Sequence, residues 1–208
     1  MESCYVIGVC GPTCGGKTTV CHKILEKIAE IIGNREGMIC IVSQDSYYNG
    51  GNVETNYDVP AAIDFDLMVK DLKQLISGKS VNAPIYDFKT HSRKTETRKI
   101  GPAKIIIVEG ILIFSQREVR DLCNLRIFVE ADNVICYTRR LKRDVMERGR
   151  SFDEVEKRYL EHVVPSFNEY INPSRFYANI VLINNTNGEF VGLEILLDHI
   201  EKKITQFQ

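Results

Sequence analysis

The stretch "GPTCGGKTT", Gly11 to Thr19, places two glycines five apart and follows the second with a lysine and a threonine. That spacing is G-x-x-x-x-G-K-[ST], a phosphate-binding pattern when a strand precedes it and a helix follows. Glycines let successive backbone N–H groups turn toward an anion, and the free N–H groups of the next helix add to that field. The run Gly11, Pro12, Thr13, Cys14, Gly15, Gly16, Lys17, Thr18 and Thr19 is therefore the candidate nucleotide loop. Lys17 supplies a full positive charge to the outer phosphates, and the Thr18 hydroxyl suits Mg²⁺.

Three further clusters can serve the same chemistry. "IIIVEG" ends an apolar run in Glu109. A carboxylate at the carboxyl end of a buried strand faces the mouth of a parallel sheet, where it can hold Mg²⁺ directly or through water. "SQDSYY" puts Asp45 just past another apolar run, where an aspartate either caps a turn or orients a hydroxyl nucleophile and accepts its proton. Thr18, Asp45 and Glu109 are the candidate metal ligands. "RRLKRDVMERGR" (139–150) holds six basic residues in twelve. Arg140 can pair with Asp144 four residues on, as on any solvated helix. Beside a phosphate loop the cluster reads instead as a lid whose arginines close over a transferring phosphoryl group.

Elements must place these groups together. "YVIGVC" (5–10), "MICIVS" (38–43), "KIIIVEG" (104–110), "LRIFVEA" (125–131) and "NIVLIN" (179–184) read as buried strands. Between them, helical spacing runs over 17–32, where Val20, Ile24, Leu25, Ile28 and Ile31 recur before Gly33-Asn34. It continues over 63–76, with Leu67, Leu72, Leu75 and Ile76 as the apolar face, and over 133–148, 152–170 and 189–205. Strands alternating with helices predict an α/β fold with a parallel sheet of about five strands covered on both faces. The polar, alternating stretch 81–100 reads as an antiparallel hairpin outside the main sheet, not needed for the core and free to serve a ligand.

Composition narrows the class. A chain of 208 residues with 44% hydrophobic content suits one domain, 1–208, with a full core. A net charge of −1 gives no global signal for nucleic acid or anionic membrane. Seven cysteines without a CxxC pair fit a reduced, cytoplasmic protein. The start of the chain carries no secretory pattern, and its longest apolar run is too short to span a bilayer. No N-K-x-D segment points to a switch GTPase, so one phosphate loop on a chain this short favours a small-molecule kinase.

Together these motifs resemble the uridine-cytidine kinase family. "GPTCGGKTT", "SQDSYY", "TNYDVP", "PIYDFKTHSRK", "VEGIL", "RRLKRDVMERGR" and "YANIVL" occur in that family's order and spacing, from about Val6 to Ile204. The Y-x-F-x-x-H-S-R-K hairpin is the most specific piece. The resemblance implies ATP as phosphate donor with Mg²⁺, and uridine and cytidine as acceptors at the 5′-hydroxyl. It implies Asp45 as catalytic base and Asp58 as the carboxylate on the ribose hydroxyls. Tyr86 and His91 would read the pyrimidine, between the aromatic walls Tyr57 and Phe88. Arg140 and Arg150 would lie on the nucleoside side, Arg143 and Arg148 on the phosphates with Lys17. A homotetramer is implied as well. Departures are the loop 49–56, shorter than usual in the family; Val59 in place of a histidine; Cys14-Gly15 in place of Ala-Ser; and "INNTNG" after the last strand. Arg158 stands where a glutamine usually contacts the sugar, and it either pairs along its helix with Glu154 or Glu161 or enters the site. The rival readings are a kinase of another small alcohol and a nucleotide-binding regulator without catalysis.

Overall fold

The computed structural model describes residues 4–32, 37–184 and 189–205. β1 (Tyr5–Cys10) is buried throughout and lies inside the main sheet. Its side chains alternate between two cores. Tyr5, Ile7 and Val9 face the layer that contains α1 (Lys17–Ile32), and Val6 and Cys10 face the opposite one. α1 buries Val20, Ile24 and Ile28, one residue per turn along a single stripe. The end of this helix at Gly33-Asn34 lies outside the described residues.

The sheet order is β2-β5-β1-β6-β7-β8, with β2 at Ile39–Ser43, β5 at Ile105–Gly110, β6 at Leu125–Glu130, β7 at Ile180–Asn184 and β8 at Phe190–Val191. The first five are parallel, as the alternating pattern requires. β8 is a sixth strand, antiparallel to β7, where the sequence reads as helix. Gly192, at φ 85°, separates it from the closing helix Leu193–Ile204. Two residues are too few for strand periodicity to show. β2, read as buried, is an edge strand in which Val42 alone is fully covered.

α2 (Phe65–Ile76) starts at Asp64, whose carboxylate accepts from the Leu67 N–H, and buries Met68, Val69, Leu72 and Leu75. Leu67 and Ile76 of the expected apolar face are only partly covered. β3 (Val81–Asp87) and β4 (Ser92–Ile100) form the separate hairpin. Its stalk is not dispensable to the core, however: Val81, Ala83 and Ile100 are buried in the same cluster as Leu72 and Phe114. A short helix, α3 (Arg117–Leu122), carries no apolar period that sequence could show.

α4 (Asn133–Met146) is capped by Asp132 and stops two residues short of the expected end. The chain then folds back, with the Arg150 N–H donating to the Asp144 carbonyl at 3.1 Å and Gly149 at φ 68°. α5 (Phe152–Arg158) continues as helical turns to Ser174, longer than read, through two wide π turns at Tyr159–Val163 and Phe167–Ile171. Pro165 and Pro173 each follow a π turn by two residues. The widened turn removes the clash a proline makes with the carbonyl four residues back. Among the described residues no helix is long and apolar enough to cross a membrane.

Candidate functional site

The carboxyl ends of β1, β2, β5 and β7 open into one cavity of about 480 Å³, the expected location for a ligand in an open α/β sheet. The loop from β1 to α1 forms its floor. Thr13, Cys14, Gly16, Lys17, Thr18 and Thr19 line it, while Gly11, Pro12 and Gly15 form the back of the turn. Gly11 and Gly16 sit at φ 149° and 103°. A Cβ at Gly11 would lie 2.2 Å from the Val129 carbonyl oxygen, and one at Gly16 would lie 2.4 Å from Asn184 Nδ2. Neither place admits a side chain. The Pro12 carbonyl accepts from the Gly15 N–H at 3.1 Å and from Lys17 Nζ at 2.9 Å. Asn184 Nδ2 donates to the Gly15 carbonyl at 2.9 Å, so the end of β7 braces the loop. Contacts of "INNTNG" beyond Asn184 lie outside the described residues.

Strand register sets the acidic corner. Ser43 of β2 pairs with Glu109 of β5, and the Ser43 hydroxyl donates to Glu109 Oε1. The same hydroxyl accepts from the Asp45 N–H at 3.4 Å and caps the 3₁₀ turn 44–47. Asp45 is open to solvent through the cavity but walled by protein on its other sides. That enclosure raises its pKa above the ordinary value, against the pull of Lys17, Arg148 and Arg143. Burial also raises Glu109, and the nearby Asp45 charge raises it further. Two carboxylates that discourage each other's ionisation suit a divalent cation. Among the described residues no group of three or more His, Cys, Asp or Glu could hold a metal. Mg²⁺ needs only one or two carboxylates when phosphates and water complete its shell.

The opposite end of the cavity is aromatic. Tyr48, Tyr57, Tyr86, Phe88 and His91 meet there. Tyr57 stacks on His91 with centroids 5.6 Å apart and planes 17° from parallel, and Tyr48 contacts Tyr57, Tyr86 and Phe88 at 5.5, 5.2 and 6.2 Å. Burial lowers the His91 pKa, and Arg150 and Arg158 lower it further. A neutral ring holds one donor and one acceptor. Asp58, buried nearby, faces Arg140 Nη1 at 3.9 Å.

The lid brings its arginines in from above. Arg140 contacts the phosphate loop through Thr13 Oγ1 at 3.3 Å and Asp144 at 3.5 Å, so its local pairing and its site contact coexist. Arg143 binds Asp144 through Nε and Nη2, both at 2.8 Å. Arg148 and Arg150 reach the same carboxylate at 3.3 and 3.7 Å, and Arg148 lies 4.9 Å from the Phe88 ring centre.

Every charged or aromatic candidate from the sequence lines this cavity. Arg158 does so in an unexpected way. Instead of pairing with Glu154 or Glu161, or reaching Asp58, its guanidinium donates to the carbonyls of Val53 and Thr55. Four residues that line or brace the cavity were not singled out as site residues in the sequence reading. Tyr48 stands in the quoted "SQDSYY", and its aromatic type was the available signal. Arg93 stands in the quoted "HSRK"; it donates to the Tyr48 carbonyl at 2.8 Å, the Tyr47 carbonyl at 2.9 Å and Asp64 at 3.2 Å, tying the hairpin to the turn that carries Asp45. Asp144 was seen as a partner of Arg140 alone. Asn184 gave no signal, because its partner is 169 residues away in sequence.

The model of the phosphoribulokinase / uridine kinase family matches residues 6–187. Uridine-cytidine kinase A of Dictyostelium discoideum is 40% identical over 99% of this chain, which spans only 41% of that protein. Uridine-cytidine kinase 2-B of Danio rerio is 37% identical over 95% of this chain and 79% of its own length. The uridine kinase of Streptococcus pyogenes serotype M5 is 39% identical over 96% and 94%. Among solved structures, a Silicibacter sp. TM1040 protein described as a fructose transport system kinase superposes with a TM-score of 0.71 at 17% identity, covering 87% of this chain and 90% of its own. That last likeness supports the fold alone.

Proposed function

Because the chain belongs to the phosphoribulokinase / uridine kinase family, we propose that it transfers the terminal phosphoryl group of ATP to the 5′-hydroxyl of uridine or cytidine. The carrying observation is that one cavity is lined by the phosphate loop, the aromatic hairpin, Asp58 and Asp45, with Asp45 close enough to both Lys17 and Asp58 to be influenced by each charge. The named relatives are uridine and uridine-cytidine kinases.

In this reading the loop amides and Lys17 hold the phosphates, and Asp58 accepts from the ribose hydroxyls. Tyr57, Tyr86 and Phe88 enclose the base, and the neutral His91 meets either the carbonyl of uracil or the amine of cytosine. Asp45 orients the 5′-hydroxyl and takes its proton. Arg143 and Arg148 offset charge on the phosphoryl oxygens, with Arg140 and Arg150 toward the nucleoside. Thr18, Asp45 and Glu109 would hold Mg²⁺, which when bound neutralises the β- and γ-phosphates. Catalysis is then mainly positioning and electrostatics. The reading extends to a cytoplasmic homotetramer, for which family likeness is the support.

ADP release measured over a nucleoside panel tests the assignment. Uridine and cytidine turn over, while adenosine and guanosine fall at least about a hundredfold in kcat/KM, because a closed pocket rejects partners that leave its polar atoms unpaired. A purine nucleoside phosphorylated as well as uridine would remove the hairpin as a pyrimidine reader. Lys17→Ala tests the other end. Lys17 is only 9% exposed, less open than a strand-end loop suggests, but its one hydrogen bond is to Pro12. The variant loses kcat/KM for ATP while its Tm stays within roughly 2–4 °C of the parent. Unchanged ATP kinetics at that stability would contradict the loop's role.

A further inference from the structure

The segment from Asn49 to Tyr57 forms a strap over the aromatic end of the cavity. Its start is held by Asn49, whose N–H donates to the Ala62 carbonyl and whose Nδ2 donates to the Ala61 carbonyl, and its middle is bonded to itself. The Thr55 N–H donates to the Asn52 carbonyl, the Asn52 N–H to Thr55 Oγ1, the Glu54 N–H to Asn52 Oδ1, and the Tyr57 hydroxyl to the Asn52 carbonyl. One bond ties it to the hairpin, from the Gly51 N–H to the His91 carbonyl at 2.9 Å. Two attachments tie it to the helical layer: Asn56 Nδ2 donates to Ser166 Oγ at 3.3 Å, and Arg158 makes a charged, two-pronged contact. Arg158, 9% exposed on α5, donates through Nη1 to the Val53 carbonyl and through Nη2 to the Thr55 carbonyl at 3.1 Å. Its guanidinium carbon lies 5.9 Å from the centre of the Tyr57 ring. The planar, charged fork presents N–H groups on two separate nitrogens to two carbonyls of one turn, whereas lysine or glutamine would have to donate from a single nitrogen.

Resting on the nucleoside-kinase reading, we infer that Arg158 is a positioning residue. It latches the strap and thereby sets the Tyr57–His91 wall against which the base lies. It acts on the nucleoside through Tyr57 and not by touching the sugar. Both terminal nitrogens already have acceptors in the strap. The group that faces Asp58 across the cavity is Arg140. α5 begins directly after Arg150, at the Ser151 cap, so the latch also joins the strap to the far end of the lid.

The test compares Arg158→Gln and Arg158→Lys with the parent, using KM for uridine, 2′-deoxyuridine and ATP, and amide hydrogen exchange over 49–57. The glutamine variant raises KM for both nucleosides by the same factor, about tenfold, with ATP within about twofold. Exchange across the strap speeds up. The lysine variant, able to hold one carbonyl, falls between. A loss confined to uridine would place Arg158 on the 2′-hydroxyl and overturn the latch. So would unchanged strap exchange, or nucleoside KM values equal to the parent's. The exchange measurement needs no turnover, so it still judges the latch if the parent proves not to phosphorylate nucleosides, an outcome that would sink the nucleoside reading separately.

Discussion

Asp45→Asn binds ATP and uridine with near-parental affinity and loses about 10²–10⁴-fold in kcat, the usual contribution of a positioned general base. The substitution preserves shape. The 3₁₀ turn is capped by the Ser43 hydroxyl on the Asp45 N–H, a backbone contact that asparagine retains. Proton acceptance is removed together with one negative charge of the acidic corner, and Glu109 and Thr18 remain to hold Mg²⁺. The pH profile supplies an independent signature. Enclosure lifts the Asp45 pKa, while Lys17, Arg148 and Arg143 hold it back. The base works when ionised, so parental kcat/KM falls as pH drops through the acid range. The asparagine variant lacks the Asp45 acid limb. Calorimetry for both substrates and a pH series of initial rates measure this. Turnover within a few-fold of the parent would take Asp45 out of the mechanism.

Asp144→Asn destabilises the folded chain by about 3–5 kcal/mol, the range for breaking a buried ion pair from one side. Asp144 is 1% exposed and has Arg140, Arg143, Arg148 and Arg150 within 4 Å. It is the carboxylate that lets four like charges converge on one cavity. Burial alone would raise its pKa, but the Arg143 hydrogen bond and the charges of Arg143, Arg140 and Arg148 outweigh burial and hold it below its ordinary 3.8. A carboxylate depressed on folding stabilises at pH above its unfolded value and loses that effect as pH falls through the folded one. The gap between parent and variant is therefore full at neutral pH and closes in the acid range. Urea unfolding across pH measures it. A gap under about 0.5 kcal/mol at pH 7, the level of an exposed pair, would make Asp144 an ordinary surface partner. At saturating nucleoside, the same variant raises KM for ATP as the arginines splay.

Much of this site is local in sequence. The phosphate loop, Asp45 after β2 and Glu109 ending β5 each follow from a few adjacent residues and the strand beside them. The parallel sheet followed from apolar runs alternating with helical periods. What escaped depends on distant partners. Arg158 meets Val53 and Thr55, 105 and 103 residues earlier. Backbone carbonyls are acceptors that every residue carries, so no sequence pattern marks them. Phe190 was read as helical because a two-residue strand has no period, yet it packs beside Gly16. Val81, Ala83 and Ile100 are too few and too scattered to announce that the hairpin stalk belongs to the core. The edge position of β2 was hidden because its composition matches that of the interior strands.

Arg93 spans three groups at once: two carbonyls of the turn after β2 and the carboxylate that caps α2. Regions joined this way open together, since a local fluctuation that frees one must break the bonds holding the other. The hairpin proposed to read the base and the turn that carries Asp45 thus form one unit of partial unfolding. Warming the enzyme toward its transition does not yield a species that still turns over but has lost its discrimination among nucleosides. Selectivity and turnover fade in step, so a half-open molecule is silent and does not phosphorylate the wrong substrate.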